Sequence, residues 1–178
     1  MSRGSRTELA VLGALSVEPM SGYAVRQAIT DTLGHFWSES FGQIYPALAR
    51  LEEEGLIRRA GDGQTSGSTF CLTTAGRRHL VNLLREPMPT PPPRNGTLLR
   101  LFFGRLLGVD ECRSIVLDAL ARAEASLAEL SAVHADVEGD TDPNAPFWLL
   151  TVSAGEHSAR AQIAWAKEAL EILDAIAD

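Results

Sequence analysis

The sequence predicts a mainly α-helical protein with one small β element, arranged as two domains. Apolar residues recur at helical spacing through most of the chain. Two short segments rich in β-formers flank a turn signal. The segment EPMPTPPPRNG, residues 86–96, has five prolines in eleven residues, which excludes a helix interior. We therefore predict a first domain at residues 1–86, a semi-rigid linker at 87–96 and a second domain at 97–178.

The first domain contains short elements in a characteristic order. The predicted elements are helices at about residues 7–15, 22–33 and 40–54, strands at about 56–60 and 69–72, and a helix at about 74–85. Ser21 and Thr73 are suitable N-caps for the second and fourth helices. This order of three helices, strand, turn, strand and helix is that of a winged helix-turn-helix.

The third helix has an unusual proline. Ser40 and Gln43 are spaced for a capping box at its start. Pro46 then lies just beyond the first turn, and the bond that it omits would reach the carbonyl of Gly42, which has no Cβ to crowd a local bend. Gly55 is placed to end the helix in the left-handed conformation. The proline is therefore compatible with a helix.

Charge divides unevenly between the halves of the chain. The whole sequence has a net charge of −7. Residues 1–86 contain nine Arg, no Lys and nine acidic residues, so the acidic excess lies entirely in residues 87–178. The acidic total therefore does not exclude a nucleic-acid-binding first half, where local clustering of arginines matters.

Three stretches resemble the PadR family of bacterial transcriptional regulators: VLGALSVEPMSGYAVRQAI, FWSESFGQIYPALARLEEEGLI and FCLTTAGRRHL. The resemblance implies a winged helix-turn-helix domain, a helical C-terminal dimerisation domain and binding of a homodimer to a palindromic operator in double-stranded DNA. It also implies a repressor that a small, often aromatic, effector releases. The predicted wing, GDGQTSGST, departs from the family because it lacks the basic residues common there, which shifts backbone contacts towards Arg58 and Arg59.

The predicted DNA contacts follow from this fold. Recognition helices contact DNA with their N-terminal residues, which favours Gln43 and Tyr45 as base-reading groups. The full predicted set is Gln43, Tyr45, Pro46, Arg50, Arg58, Arg59 and Arg77. Two alternatives remain open: Tyr45 packs against the second helix, and Arg77 is surface charge. Glu52, Glu53 and Glu54 are interpreted as a solvated helix end rather than an acid–base site.

The second domain is predicted to associate with a second copy. Residues 97–107 are apolar nearly all round, which predicts a helix covered on more than one side. The predicted helix at 110–138 carries a heptad seam, which includes His134 as a packing residue. The last predicted helix, residues 146–177, has an apolar face too wide for one neighbour. The two long helices therefore predict an antiparallel hairpin and a homodimer.

Several aromatic residues suggest a small-molecule site. The candidates for contact with a small aromatic effector are Trp37, Phe103, Phe147 and Trp148. Such rings could line an apolar cleft if the helical domain packs against the first domain. The alternative is that they are core and interface anchors.

Other classes of function are disfavoured. The four His and two Cys have no metal-ligand spacing, no nucleophile motif is present, and we expect no cofactor and no enzymatic activity. The longest apolar run is too short for a membrane span, and the cysteines are expected to be reduced thiols in a cytoplasmic protein. A winged-helix protein-interaction module without DNA binding is the alternative function.

Overall fold

The computed structural model describes residues 3–31, 37, 41–60, 69–88 and 94–177. The chain divides into two compact units, Met1–Pro91 and Pro92–Asp178. The first unit contains α1 (Arg3–Val17), β1 (Met20–Ser21), α2 (Gly22–Asp31), α3 (Phe41–Glu53), β2 (Ile57–Ala60), β3 (Thr69–Leu72) and α4 (Thr74–Arg85). The second contains α5 (Gly96–Phe102), a 3-10 turn (Gly104–Leu106), α6 (Val109–Glu138) and α7 (Ala145–Ala177). The predicted fold class, mainly helical with a small antiparallel wing, is confirmed.

The first unit has a three-stranded antiparallel sheet rather than the predicted two-stranded wing. Its strand order is β1-β3-β2, and Met20 pairs with Phe70. The extra strand β1 is only two residues long, so it has no alternating pattern that the sequence could reveal. The predicted Ser21 cap is present, because its Oγ accepts a hydrogen bond of 3.1 Å from the Ala24 backbone N–H.

The core of the first unit forms where α1, α2, α3 and α4 meet the sheet. Its fully buried side chains include Val11, Leu12, Val25, Ile44, Leu48, Leu51 and Ile57. On α2, Val25 and Ile29 face this core at a spacing of four residues, as one face of a helix requires. Tyr23 lies off that face and is exposed, although its apolar ring would suit the core.

The helix α3 ends as predicted. Gly55 has a φ of +67°, in the left-handed region. The Leu56 N–H donates to the Leu51 carbonyl at 2.9 Å, and the Gly55 N–H donates to the Glu52 carbonyl at 3.0 Å. These two bonds form a Schellman motif, which satisfies carbonyls at the helix end. The predicted capping box at the other end involves Ser40, which lies outside the described residues.

The start of α4 is joined closely to the end of α3. Thr73 Oγ1 accepts a 3.0 Å hydrogen bond from the Gly76 N–H, and the same oxygen lies 2.9 Å from the carbonyl oxygens of Gly55 and Leu56. A Cβ on Gly76 would lie 2.0 Å from the Leu56 carbonyl oxygen. Only glycine therefore fits at position 76 without moving backbone.

In the second unit, α6 and α7 form the predicted antiparallel hairpin. Arg113, near the start of α6, forms an ion pair with Asp174, near the end of α7. Ser131, near the end of α6, donates a 2.9 Å hydrogen bond to Glu156 in the first half of α7. The predicted heptad positions are buried or half-buried, as a seam between two helices requires.

A buried polar cluster interrupts this seam. Glu156 is buried, and its second carboxylate oxygen lies 3.4 Å from His134 Nδ1 and 3.2 Å from an Arg160 guanidinium nitrogen. The Ser131 hydroxyl, helped by Arg160 and His134, lowers the pKa of Glu156 below its ordinary value, although desolvation acts in the opposite direction. His134 thus packs in the seam beside a carboxylate that is ionised at neutral pH.

The predicted helix at residues 97–107 is not continuous. The helix α5 ends at Phe102, and a 3-10 turn at Gly104–Leu106 follows. Gly104 is buried under Cys112, whose Sγ donates a weak hydrogen bond of 3.5 Å to its carbonyl. Gly108 has a φ of +86° and redirects the chain into α6. The apolar composition of residues 97–107 therefore did not determine the length of the helix, and most of the large apolar side chains of this segment are exposed.

Candidate nucleic-acid interface

The outer face of α3 is formed by small residues. Ile44, Ala47, Leu48 and Leu51 turn inward and are buried. Gly42, Pro46 and Ala49 lie opposite them, at helical spacing, and all three are exposed. The helix can therefore approach a flat or grooved partner closely over its first three turns.

Gln43 and Tyr45 lie on the two flanks of this face. Both are exposed, and Tyr45 has a relative exposure of 52%. The Tyr45 ring also lies beside Gly22 of α2, where an added Cβ would come within 3.0 Å of Cε1. Tyr45 thus packs against the second helix and still presents half of its surface to solvent. Both flanks carry a polar group of the kind that reads base edges.

Two of the predicted arginines are each bound to a carboxylate. Arg50 forms an ion pair with Glu8 of α1, and its Nε lies 3.9 Å from Glu54. Arg59 donates hydrogen bonds of 2.9 and 3.1 Å from Nε to the two carboxylate oxygens of Glu52. These arginines link α3 to its neighbours within the first unit.

The other two predicted arginines, Arg58 and Arg77, and the neighbouring Arg78 have no such partner among the described residues. Arg58 on β2 is exposed, and so are Arg77 and Arg78 in the first two turns of α4. Within the described ranges, no carboxylate lies within ion-pair distance of any of the three. Their charges are available to neutralise phosphates. The predicted wing turn, residues 61–68, lies outside the described residues.

The predicted effector residues occupy both units. Trp37 packs against the core of the first unit, and its buried Nε1 has no hydrogen-bond partner among the described residues. In the second unit, Phe103 stacks edge-on against Phe102, with ring centroids 5.2 Å apart. Phe147 is exposed and Trp148 is half-buried in the first turn of α7. Phe103 and the pair Phe147 and Trp148 lie at opposite ends of the α6–α7 hairpin, so one protomer does not bring them together on one small ligand. An effector site remains a prediction.

Sequence reasoning missed two carboxylates of this surface. Glu52, interpreted from the sequence as part of a solvated helix end, binds Arg59. Nothing near Glu8 in the sequence indicates that it binds an arginine. Glu8 and Arg50 are 42 residues apart in the chain, so no local pattern could reveal their contact. For Glu52, the nearby Arg59 was a usable signal.

Other kinds of site are not found in the part of the chain that the structure describes. No group of three or more His, Cys, Asp or Glu side chains is placed to hold a metal ion there. None of the helices in the same ranges combines the length and apolarity needed to cross a bilayer.

Two family models and several known proteins match the chain. The PadR-like transcriptional regulator family matches residues 11–82, and the virulence activator alpha C-terminal family matches residues 93–174. The negative transcriptional regulator PadR of Bacillus subtilis is 29% identical over 138 residues, which cover 75% of this chain and 76% of that protein.

Solved structures resemble both units. The PadR-like regulator BC1756 of Bacillus cereus has a TM-score of 0.80 and 28% identity, over 95% of this chain and 98% of that chain. B. subtilis PadR in complex with operator DNA has a TM-score of 0.78 and 25% identity, over 93% and 98%. The same B. subtilis protein has been solved with p-coumaric acid, with a TM-score of 0.76 and 24% identity over 94% and 98%.

The fold, the exposed recognition surface and these matches agree. The first unit is a winged helix-turn-helix in which the outer face of α3 is exposed, and the family matches cover most of both units. Residues 11–82 of this chain form a PadR-like transcriptional regulator domain, with the winged helix-turn-helix fold of the first unit.

Proposed function

We propose that the protein is a homodimeric repressor that binds a palindromic operator and is released by a small planar aromatic ligand. The observation that carries this proposal is the outer face of α3, where small exposed residues lie between Gln43 and Tyr45. In the proposed complex this face enters the major groove, and Gln43, Tyr45 and Pro46 contact the base edges. Arg58 and Arg77 contact phosphates.

The second unit supports a dimer. Large apolar side chains along α5 and the 3-10 turn are exposed: Leu98, Leu99, Phe102, Phe103, Leu106 and Leu107. Phe102 and Leu106 have relative exposures of 82% and 86%. Soluble monomers rarely expose a contiguous apolar surface of this kind. A second copy on a two-fold axis would cover it and present two recognition helices to a palindrome.

The direction of regulation is proposed from the relatives. The B. subtilis relative is named a negative regulator and has been solved with operator DNA and with p-coumaric acid. A dimer bound across a promoter blocks transcription, and a ligand that prefers the DNA-free state lowers occupancy by no more than its differential affinity. Phe147 and Trp148, adjacent in the first turn of α7, are the proposed ligand contacts, because Phe103 lies at the opposite end of the α6–α7 hairpin.

The interface is tested by separating base contacts from phosphate contacts. Gln43→Ala and Tyr45→Ala are each expected to weaken binding to an operator duplex by about 1–3 kcal/mol, with little change for a shuffled duplex. Arg58→Ala is expected to weaken both equally and to flatten the salt dependence by about 0.9 for each phosphate that is no longer neutralised. Fluorescence anisotropy over a salt series measures both effects.

Arg122→Ala is the matched control for this experiment. It removes the same charge from an exposed position on α6, so it should leave both titrations unchanged. If all three interface variants bind like the wild type, DNA does not contact α3 and β2, and the protein-interaction alternative gains support.

The effector is tested with p-coumaric acid and related planar aromatic acids. We expect them to quench tryptophan emission and to release a bound operator duplex over the same concentration range. Trp148→Phe should weaken both responses, whereas Trp165→Phe, farther along α7, should preserve the release. Quenching without release would contradict the switch, and a panel without any response would contradict the effector itself.

A further inference from the structure

Two arginines beside the proposed DNA surface, Arg50 and Arg59, are each paired with a carboxylate. We propose that Glu8 and Glu52 are specificity-determining residues, which hold these arginines away from phosphates and so lower the affinity for non-operator DNA. This inference rests on the proposed interface at α3 and β2. It differs from the sequence-based expectation, in which both arginines contact DNA directly.

Glu8 is the more buried partner in its ion pair with Arg50. The Glu8 side chain has a relative exposure of 15%, against 44% for Arg50. A carboxylate with so little water around it is costly to leave without a cation. His79 Nε2 lies 3.6 Å from the other Glu8 oxygen, a contact without hydrogen-bond geometry. Arg50 is therefore the principal partner of Glu8, and releasing it to a phosphate would strand that carboxylate.

The location of Arg50 makes its pairing relevant to DNA. Arg50 is the sole basic residue of α3, and it lies two turns after Gln43 on the same flank of the helix. A free guanidinium there would be placed beside the backbone of any duplex that the helix entered. Glu8, with Glu54 at 3.9 Å, offsets that charge.

Arg59 is held in a similar way from two sides. Its Nε contacts both oxygens of Glu52, and its guanidinium carbon lies 5.3 Å from the centroid of the Phe70 ring. The ion pair and the cation–π contact fix the side chain over the sheet. The neighbouring Arg58 points to the opposite side of the strand and has no such partner among the described residues.

These two ion pairs affect phosphate contacts and base contacts differently, and both kinds of contact contribute to DNA affinity. Binding to arbitrary DNA comes almost wholly from neutralised phosphates, and each arginine that neutralises one adds to the salt dependence. Base contacts, by contrast, discriminate among sequences. Holding two arginines per protomer on carboxylates reduces the affinity from phosphate contacts without reducing the affinity from base contacts. The ratio of operator to non-operator affinity therefore rises.

The test uses the full chain and two duplexes. One duplex is selected from a random library by the wild-type protein, and the other has the same base composition in shuffled order. Glu8→Gln and Glu52→Gln remove the charge of each carboxylate while keeping its size. Glu18→Gln is the matched control, because this exposed residue has no arginine partner among the described residues. Thermal melts verify that each variant is folded.

Both variants are expected to bind the shuffled duplex more tightly than the wild type. The salt dependence on that duplex should steepen by up to about 0.9 for each released arginine that finds a phosphate. The ratio of selected to shuffled affinity should fall, and adding Arg50→Gln to Glu8→Gln should restore the wild-type slope. Glu18→Gln should leave the slope unchanged.

One outcome would contradict this inference alone, and a different outcome would contradict the proposed function. If both variants show unchanged or weaker binding to the shuffled duplex, with an unchanged slope, the inference is wrong and the carboxylates only orient α3. Should Glu8→Gln fail to fold, Glu52→Gln decides alone, since the Glu52 side chain is partly exposed and lies outside the core. If the library yields no enriched sequence, the proposed function itself fails.

Discussion

Replacing Phe102 and Leu106 together by Ser is expected to weaken operator binding by a factor of about 10² to 10⁴. Both side chains are almost fully exposed in the protomer, so the change should leave its fold intact. They lie on the apolar surface that we propose as part of the dimer contact. Two linked recognition helices gain an effective concentration that a single one lacks, and separating them removes that factor.

Sedimentation measures the expected loss of the dimer, and fluorescence anisotropy measures the expected loss of operator affinity. The variant should sediment as a monomer at micromolar concentration, where we expect the wild type to sediment as a dimer. Leu84→Ser is a suitable control, because Leu84 is an exposed apolar residue of α4 in the first unit. A double variant that remains dimeric and binds its operator normally would exclude α5 and the 3-10 turn from the dimer contact.

Gly76→Ala is expected to destabilise the first unit by about 3 kcal/mol. The added Cβ would lie 2.0 Å from the Leu56 carbonyl oxygen, a backbone atom that cannot turn aside as a flexible side chain would. Overpacking against a fixed neighbour typically costs about 1–3 kcal/mol, and this contact is at the severe end. The strain would open the junction between α3 and α4, which holds the end of the recognition helix.

Urea unfolding of the full chain, followed by far-UV circular dichroism, measures this effect. Gly13→Ala provides the contrast within α1, because no atom of the described residues, apart from the adjacent helix backbone, lies within 4 Å of its added Cβ. Alanine inside a helix is favoured over glycine by roughly 0.5–1 kcal/mol, so Gly13→Ala should stabilise the protein. Equal midpoints for the two variants would show that the junction can yield at little cost.

The helices and the strands β2 and β3 could be predicted because their signals are local. Apolar spacing located α1, α2, α6 and α7 to within a few residues, and Gly55 correctly marked the end of α3. The failures have a common cause, which is that the deciding contact lies elsewhere in the chain. The strand β1 exists only because Met20 meets Phe70, and α5 stops where Gly104 packs under Cys112.

The residues of the candidate site also differ in whether local sequence signals could predict their role. Gln43, Tyr45 and Pro46 could be chosen from their position near the start of α3, and the structure leaves them exposed. The arginines could not be distinguished from one another in the sequence. Whether a guanidinium is free depends on which carboxylate the fold brings beside it, and for Arg50 that carboxylate is 42 residues away.

The sequence by itself determined the class of protein, the order of the main helices and wing strands, and the position of Gln43, Tyr45 and Pro46 near the start of α3. These features rest on spacing and capping, which act over a few neighbouring residues. Only the tertiary structure decided which charges on that surface are paired. Ion pairs such as Arg50 with Glu8 and Arg59 with Glu52 form between separate elements, and they require the packed core that brings those elements together.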